Sequence, residues 1–149
     1  MLLERFLIRT EIFLKSENLT LHYDNDIRTF LEDKLDGFNS KFMGLNNHEY
    51  CVCLKDGAEK IVAGLYAGSY GSVFYIHYLW IDEDQRGRRI GHRLLDSAVF
   101  HARKLGCASI SVDTFSFQAP HFYLKHDFQI IGVLDCGNDI SRFYLNKSL

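Results

Sequence analysis

At 149 residues and 47% hydrophobic content, the chain is long enough to bury one sizeable core, so a single domain over residues 1–149 is expected. The net charge of -2 speaks against nucleic acid as the main partner, because phosphate-backbone binding needs a broad basic face and only residues 86–93 are locally basic. Charges interrupt the N-terminal run from Met1 to Thr10, so neither a leader nor a membrane span is expected, and a cytoplasmic location follows.

In chain order, Leu3 to Leu14 suits either a strand or a short helix, and Leu19 to Tyr23 alternates like an edge strand. Asn25 or Asp26 then caps a predicted helix. Its apolar positions Ile27, Phe30, Leu31, Leu35, Phe38 and Phe42 share one face, and Gly44 ends it. Three strands follow, near His48 to Leu54, Lys60 to Ser69 and Val73 to Ile81, joined by short polar turns as antiparallel hairpins. The third is aromatic and β-branched almost throughout, as expected of a strand buried on both faces; Tyr78 and Trp80 project from it together, to wall a pocket if their face is open or, the simpler expectation, to pack. A helix from about Arg88 to Leu105 carries Ile90, Leu94, Leu95, Ala98, Val99, Ala102 and Leu105 at helical spacing, with Gly106 as its C-terminal cap. A strand at Ala108 to Thr114, a short helix around Ala119 to Lys125, and strands near Gln129 to Cys136 and Arg142 to Asn146 complete the chain. The reading is an α+β domain on one mixed, mostly antiparallel sheet flanked by helices. Its C-terminal edge strands offer a homodimer contact.

Cys51, Cys53, Cys107 and Cys136 fit no close metal-ligand pattern, although Cys51 and Cys53 share one face of a strand. They are expected to be buried, reduced cysteines, and no metal is expected.

Between the third strand and the long helix lies Gln85-Arg86-Gly87-Arg88-Arg89-Ile90-Gly91, with Arg93 one turn further on. A glycine-bearing turn into a helix N-terminus presents successive unpaired amides to one point, and the helix dipole adds positive potential there. That is anion-binding chemistry suited to a phosphate.

With these flanks, the chain resembles the GNAT superfamily of acyl-CoA-dependent N-acyltransferases, whose phosphate signature reads Gln/Arg-x-x-Gly-x-Gly/Ala. Arg86 and Gly91 match, whereas Arg89 stands at the first glycine. Arg89 is therefore expected to take an ordinary helical conformation with its side chain outward, Gly87 absorbing some of the strain. Further on, Ser116 to Phe128 resembles the family's Asn-x-x-Ala-x-x-x-Tyr-x-x-x-Gly-Phe, with Ala119, Tyr123 and Phe128 in register. Ser116 replaces the asparagine and Asp127 the glycine, and Gln118 is placed to supply the missing amide.

The resemblance implies acetyl-CoA as co-substrate, lying between two splayed strands, and direct attack by a primary amine of a small molecule or peptide. It implies that Leu79, Ile81, Arg86, Gly87, Arg88, Arg89, Ile90, Gly91, Ser116, Gln118, Ala119 and Tyr123 bind the co-substrate. It also implies that the Tyr123 phenol hydrogen-bonds or protonates the departing sulfur, and that amides near Leu79 and Ile81 polarise the carbonyl. For the base, His77 is placed first because it titrates in the right range; Glu83 through a water, and Asp113 as an orienting group, are alternatives. Two other readings stay open: a catalytically silent acyl-CoA-binding module, and an interaction domain that recognises some other phosphate or nucleotide.

Overall fold

The computed structural model describes residues 23–24, 26–43 and 48–149, and the chain falls into two compact units, Met1–Phe42 and Met43–Leu149. In the first unit, helix α1 (Ile27–Met43) occupies the predicted span. The side chain engaging the turn ahead of it is Asp24, whose Oδ1 accepts the Asp26 N–H at 2.9 Å, where Asn25 or Asp26 was expected to cap. The predicted elements between Leu3 and His22, and the helix stop at Gly44, lie outside the described residues; Tyr23 is in no strand.

The second unit is a six-stranded sheet of order β1-β2-β3-β4-β6-β5. Its strands are β1 (Glu49–Lys55), β2 (Ile61–Tyr70), β3 (Val73–Ile81), β4 (Ser109–Phe115), β5 (Gln129–Asp135) and β6 (Ser141–Ser148), with helix α2 (Ile90–Lys104) between β3 and β4 and the five-residue α3 (Pro120–Leu124) after β4. Strands β3 and β4 pair in parallel and the other neighbours antiparallel. That is the expected mixed α+β sheet, in the expected order of elements. Short turns make β1-β2-β3 a meander, while the parallel step from β3 to β4 needs a crossover, and α2 supplies it.

The apolar stripe predicted for α2 is the one that packs: Leu94, Leu95, Ala98 and Ala102 are buried against Ala63, Leu65, Ala67, Phe74, Ile76, Ile110 and Leu145. The small residues Ala63, Ala67, Ala98 and Ala102 let helix and sheet approach closely, while Phe74, Ile76, Leu95, Ile110 and Leu145 supply the area; each large apolar side chain removed from water contributes about 1.5–3 kcal/mol.

Two expectations about burial are corrected. Strand β3 is not buried on both faces: Phe74 and Ile76 are enclosed, but Tyr78 is 70% and Trp80 59% exposed, so these rings do not pack as predicted. Of the four cysteines only Cys107 is buried, whereas Cys51, Cys53 and Cys136 are exposed. Cys51 and Cys53 do share a face, but β1 is an edge strand, and that face lies open.

Candidate active site

The parallel pairing of β3 with β4 runs only from Val73↔Ser109 to Ile76↔Val112. Beyond it β3 continues to Ile81 against β2, and β4 continues to Phe115 against β6. The two strands therefore diverge, and the gap opens into a cavity of ≈ 650 Å³ lined by both. Tyr75 and Asp113 mark the hinge of this splay: the Tyr75 hydroxyl donates to Asp113 Oδ1 across it. Arg142 of β6 donates its Nε to Asp113 Oδ2 at 2.6 Å and lies over the Phe115 and Tyr144 rings. Both oxygens of Asp113, the residue expected to orient the acceptor, are thus engaged by Tyr75 and Arg142. Burial, then the Asp113 hydrogen bond, pushes the Tyr75 phenol well above its ordinary range.

In the divergent segment the strand alternation decides which backbone groups face the gap. Asp82 N–H donates to Val62 O at 2.9 Å. By the two-residue period, Trp80 and Tyr78 also direct their amides to β2, whereas the N–H and C=O of Leu79 and Ile81 turn toward the opening. The Ile81 carbonyl there accepts from Arg86 Nε at 3.2 Å. Arg86 is further held over the Trp80 ring, 5.3 Å from its centroid, and 3.8 Å from Glu83.

A bulge opposite Tyr66 and Ala67 leaves His77 without a register partner. It sets His77 and Tyr78 on the same face, where both rings stack on Tyr66, with centroids 5.1 and 6.0 Å away. His77 Nε2 shares a hydrogen bond of 3.1 Å with the Tyr70 hydroxyl. Burial pulls the His77 pKa below its ordinary value, with Asp113 and Glu49 opposing more weakly, so the ring favours its neutral form.

At the far end of β3, Glu83–Gln85 form a 3₁₀ turn, and α2 begins at Ile90. Among the described residues, none of the backbone amides from Gly87 through His92 donates to a backbone carbonyl; the first to do so is Arg93, to Arg89 O. Gly87 has φ +77° and Arg89 φ +61°, a left-handed pair that turns these amides inward as a cradle. Arg89 thus corrects the expectation of an ordinary helical conformation. It keeps the geometry that a glycine would supply, at a cost of roughly 1–2 kcal/mol, with its side chain exposed as expected. Asp127 likewise takes φ +64° where the resembling motif has glycine. A Cβ on Gly91 would meet the Phe122 ring at 3.2 Å and Ile81 Cδ1 at 3.4 Å, so α2 sits close against α3 and β3 here.

Tyr123 is 5% exposed and lines the cavity. Burial, then the charge of Asp113, pushes its phenol up to about 12. Ala119 precedes α3, and its N–H donates to Thr114 Oγ1 at 3.3 Å. Gln118 lines the cavity too, but its Oε1 accepts from Phe115 N at 2.9 Å and closes the turn.

Of the residues singled out in the sequence, His77, Tyr78, Leu79, Trp80, Ile81, Arg86, Gly91, Asp113, Gln118, Ala119 and Tyr123 line the cavity together. Gly87, Arg88, Arg89 and Ile90 form the amide-bearing turn at its edge. Two are not brought to the cavity: Glu83 is exposed beside Arg86, and Ser116 Oγ accepts from Ser141 N at 3.2 Å, bracing β4 to β6. Sequence reasoning missed Phe122, Phe117, Thr114 and the Tyr75-Asp113-Arg142 network. Phe122 stood beside Tyr123 in the motif and was discoverable; the network joins residues 38 and 29 positions apart and left no local signal.

A model of the acetyltransferase (GNAT) family matches residues 14–128. An acetyltransferase crystal structure from Bacillus cereus ATCC 14579 is 28% identical, with a TM-score of 0.76 over 88% of this chain and 98% of that one. Among curated proteins, acetyltransferase Atu2258 of Agrobacterium fabrum (strain C58 / ATCC 33970) is 26% identical over 112 residues, 74% of this chain and 82% of that protein. The blasticidin-S acetyltransferase of Streptomyces morookaense is 32% identical over 72 residues, 48% of this chain and 53% of that protein. With the splayed strands, the amide-bearing turn and the buried tyrosine in place, these matches identify the chain as an acyltransferase that belongs to the GNAT family of acetyltransferases.

Proposed function

We propose that the protein transfers an acetyl group from acetyl-CoA to a primary amine of a small molecule or peptide, by direct attack within a ternary complex. The observation that carries this reading is the continuity of one cavity from the free amides at the start of α2, past Leu79 and Ile81, to the Tyr123 phenol and His77. The cradle of Gly87, Arg88, Arg89, Ile90 and Gly91 suits a pyrophosphate, and the gap-facing backbone of Leu79 and Ile81 suits the amides of a pantetheine arm. Bound there, acetyl-CoA supplies an acyl carbon activated as a thioester.

The chain's own residues then have three tasks. Backbone N–H groups at Leu79 and Ile81 stabilise charge on the carbonyl oxygen as the amine nitrogen adds. His77, held toward its neutral form, takes the proton that the amine must lose; an amine with a pKa near ~10.4 is neutral in only about one molecule per thousand at neutral pH. Tyr123 faces the departing sulfur. Its pKa of about 12 lies well above that of a thiol, near ~8.5, so it stabilises the thiolate by hydrogen bonding rather than by surrendering its proton; the proton lost by the amine ends on the sulfur through solvent. The C–N bond forms, the C–S bond breaks, and amide and free thiol leave. Both compact units act in this reading as one N-acetyltransferase domain.

The test is calorimetric titration of acetyl-CoA against wild type and Gly91→Leu, with ADP as a control lacking pantetheine. Binding much tighter for acetyl-CoA than for ADP, abolished by Gly91→Leu in a folded protein, is expected, because the leucine side chain displaces Phe122 and fills the edge of the cradle. Equal binding of ADP and acetyl-CoA would leave only a general phosphate site.

A further inference from the structure

The cavity reaches the sheet face opposite α2 through His77, Tyr78 and Trp80. On that face the aromatic rings form a connected run: His77 lies within 5.1 Å of Tyr66, 5.2 Å of Tyr75 and 5.8 Å of Tyr70, and Tyr78 stacks with Tyr66 at 6.0 Å. Tyr78 is 70% exposed, so a face of its ring is open to a ligand. Beside the run stands Glu49, whose Oε1 accepts the Tyr66 hydroxyl at 3.0 Å and which has no ion-pair partner among the described residues. Arg86 already shows what this face accepts, since its planar guanidinium lies over Trp80. Ring faces and an unpaired carboxylate in one place are the chemistry of cation recognition.

Resting on the acetyltransferase reading, we propose that Tyr66, Tyr78 and Glu49 form an acceptor-selecting platform for an amine that carries a second, planar cationic group. The reacting amine then points into the splay toward His77, while the planar cation lies against Tyr78 and Tyr66 with Glu49 as its charge partner. The platform supplies affinity and orientation, and none of its three residues handles a proton.

Trp80 is the chain's sole tryptophan and stands at this mouth, so its fluorescence reports acceptor binding without requiring turnover. The experiment titrates the full chain with 4-guanidinobutylamine and with n-pentylamine, an amine lacking the planar cation, and repeats both with Tyr78→Leu and Glu49→Gln. Acetyl-CoA binding to each protein is measured in parallel by calorimetry. Half-saturation by the guanidinium compound at a concentration about tenfold lower than by the alkylamine is expected, with the preference reduced to within about twofold in both variants and acetyl-CoA binding unchanged. Equal half-saturation for the two amines in wild type, or a preference that survives in both variants, would overturn the platform. Loss of the acetyltransferase reading shows separately, as absent acetyl-CoA binding in wild type, and does not alter the fluorescence comparison.

Discussion

Val73–Ile76 and His77–Ile81 are consecutive segments of one strand, both rich in aromatic and branched side chains, yet their surroundings differ. The first is hydrogen-bonded to β2 and β4 and carries Phe74 and Ile76 into the core. The second is paired with β2 alone, leaves backbone groups of Leu79 and Ile81 facing an opening, and holds Tyr78 and Trp80 in solvent. A strand paired on both edges has no hydrogen-bonding capacity left for a ligand, whereas one paired on a single edge keeps a row of donors and acceptors available. In this protein the change occurs within one residue step, at a bulge and a lapsed ladder.

The largest expected effect comes from attacking the first segment. Phe74→Ala removes a fully enclosed ring and should cost about 3–5 kcal/mol, read as a large fall in the urea midpoint. A stable Phe74→Ala protein that had lost only turnover would break the division between the halves.

Tyr123→Phe probes the second segment's opening from the α3 side. It should lower kcat by about 10²-fold while the acetyl-CoA Kd stays within about threefold, measured by steady-state kinetics and calorimetry. Unchanged kcat would make the hydroxyl dispensable.

His77 sharpens the comparison through pH. The imidazole must be neutral to take a proton, and burial holds its pKa below the ordinary ~6.5. The protonated, inactive form therefore accumulates only as pH falls through that lowered value, and kcat/KM should stay flat near neutrality and decline on the acid side. His77→Gln should remove this acid limb; an unaltered pH profile would assign the base elsewhere.

The smallest effect is conformational. Arg89→Gly relieves a left-handed residue at φ +61° and should raise stability by about 0.5–1 kcal/mol, checked by thermal unfolding, with acetyl-CoA binding retained.

Much of the second unit was legible from local pattern. The α2 stripe of Leu94, Leu95, Ala98 and Ala102 repeats at helical spacing, and such a stripe has to find a core whatever the rest of the chain does. The hairpins and the turn at Gly87 and Gly91 were readable for the same reason, since turn chemistry acts over a few residues. Strand burial was not readable beyond Ile76, because apolar composition states that a ring can be buried and not that a neighbour exists to bury it. The left-handed backbone of Arg89 and Asp127 was likewise set by the turns around them, which impose their conformation on whichever residue occupies the position.

The sequence by itself thus determined the order and type of these elements and the glycine-bearing turn into α2, because periodicity and turn chemistry are local. Only the tertiary structure decided that β3 and β4 part after Ile76, that Asp113 is spent on Tyr75 and Arg142, and that His77 and Tyr78 share an open face beside Glu49. Those outcomes depend on which strands become neighbours and where their pairing stops, a property of contacts between residues far apart in the chain.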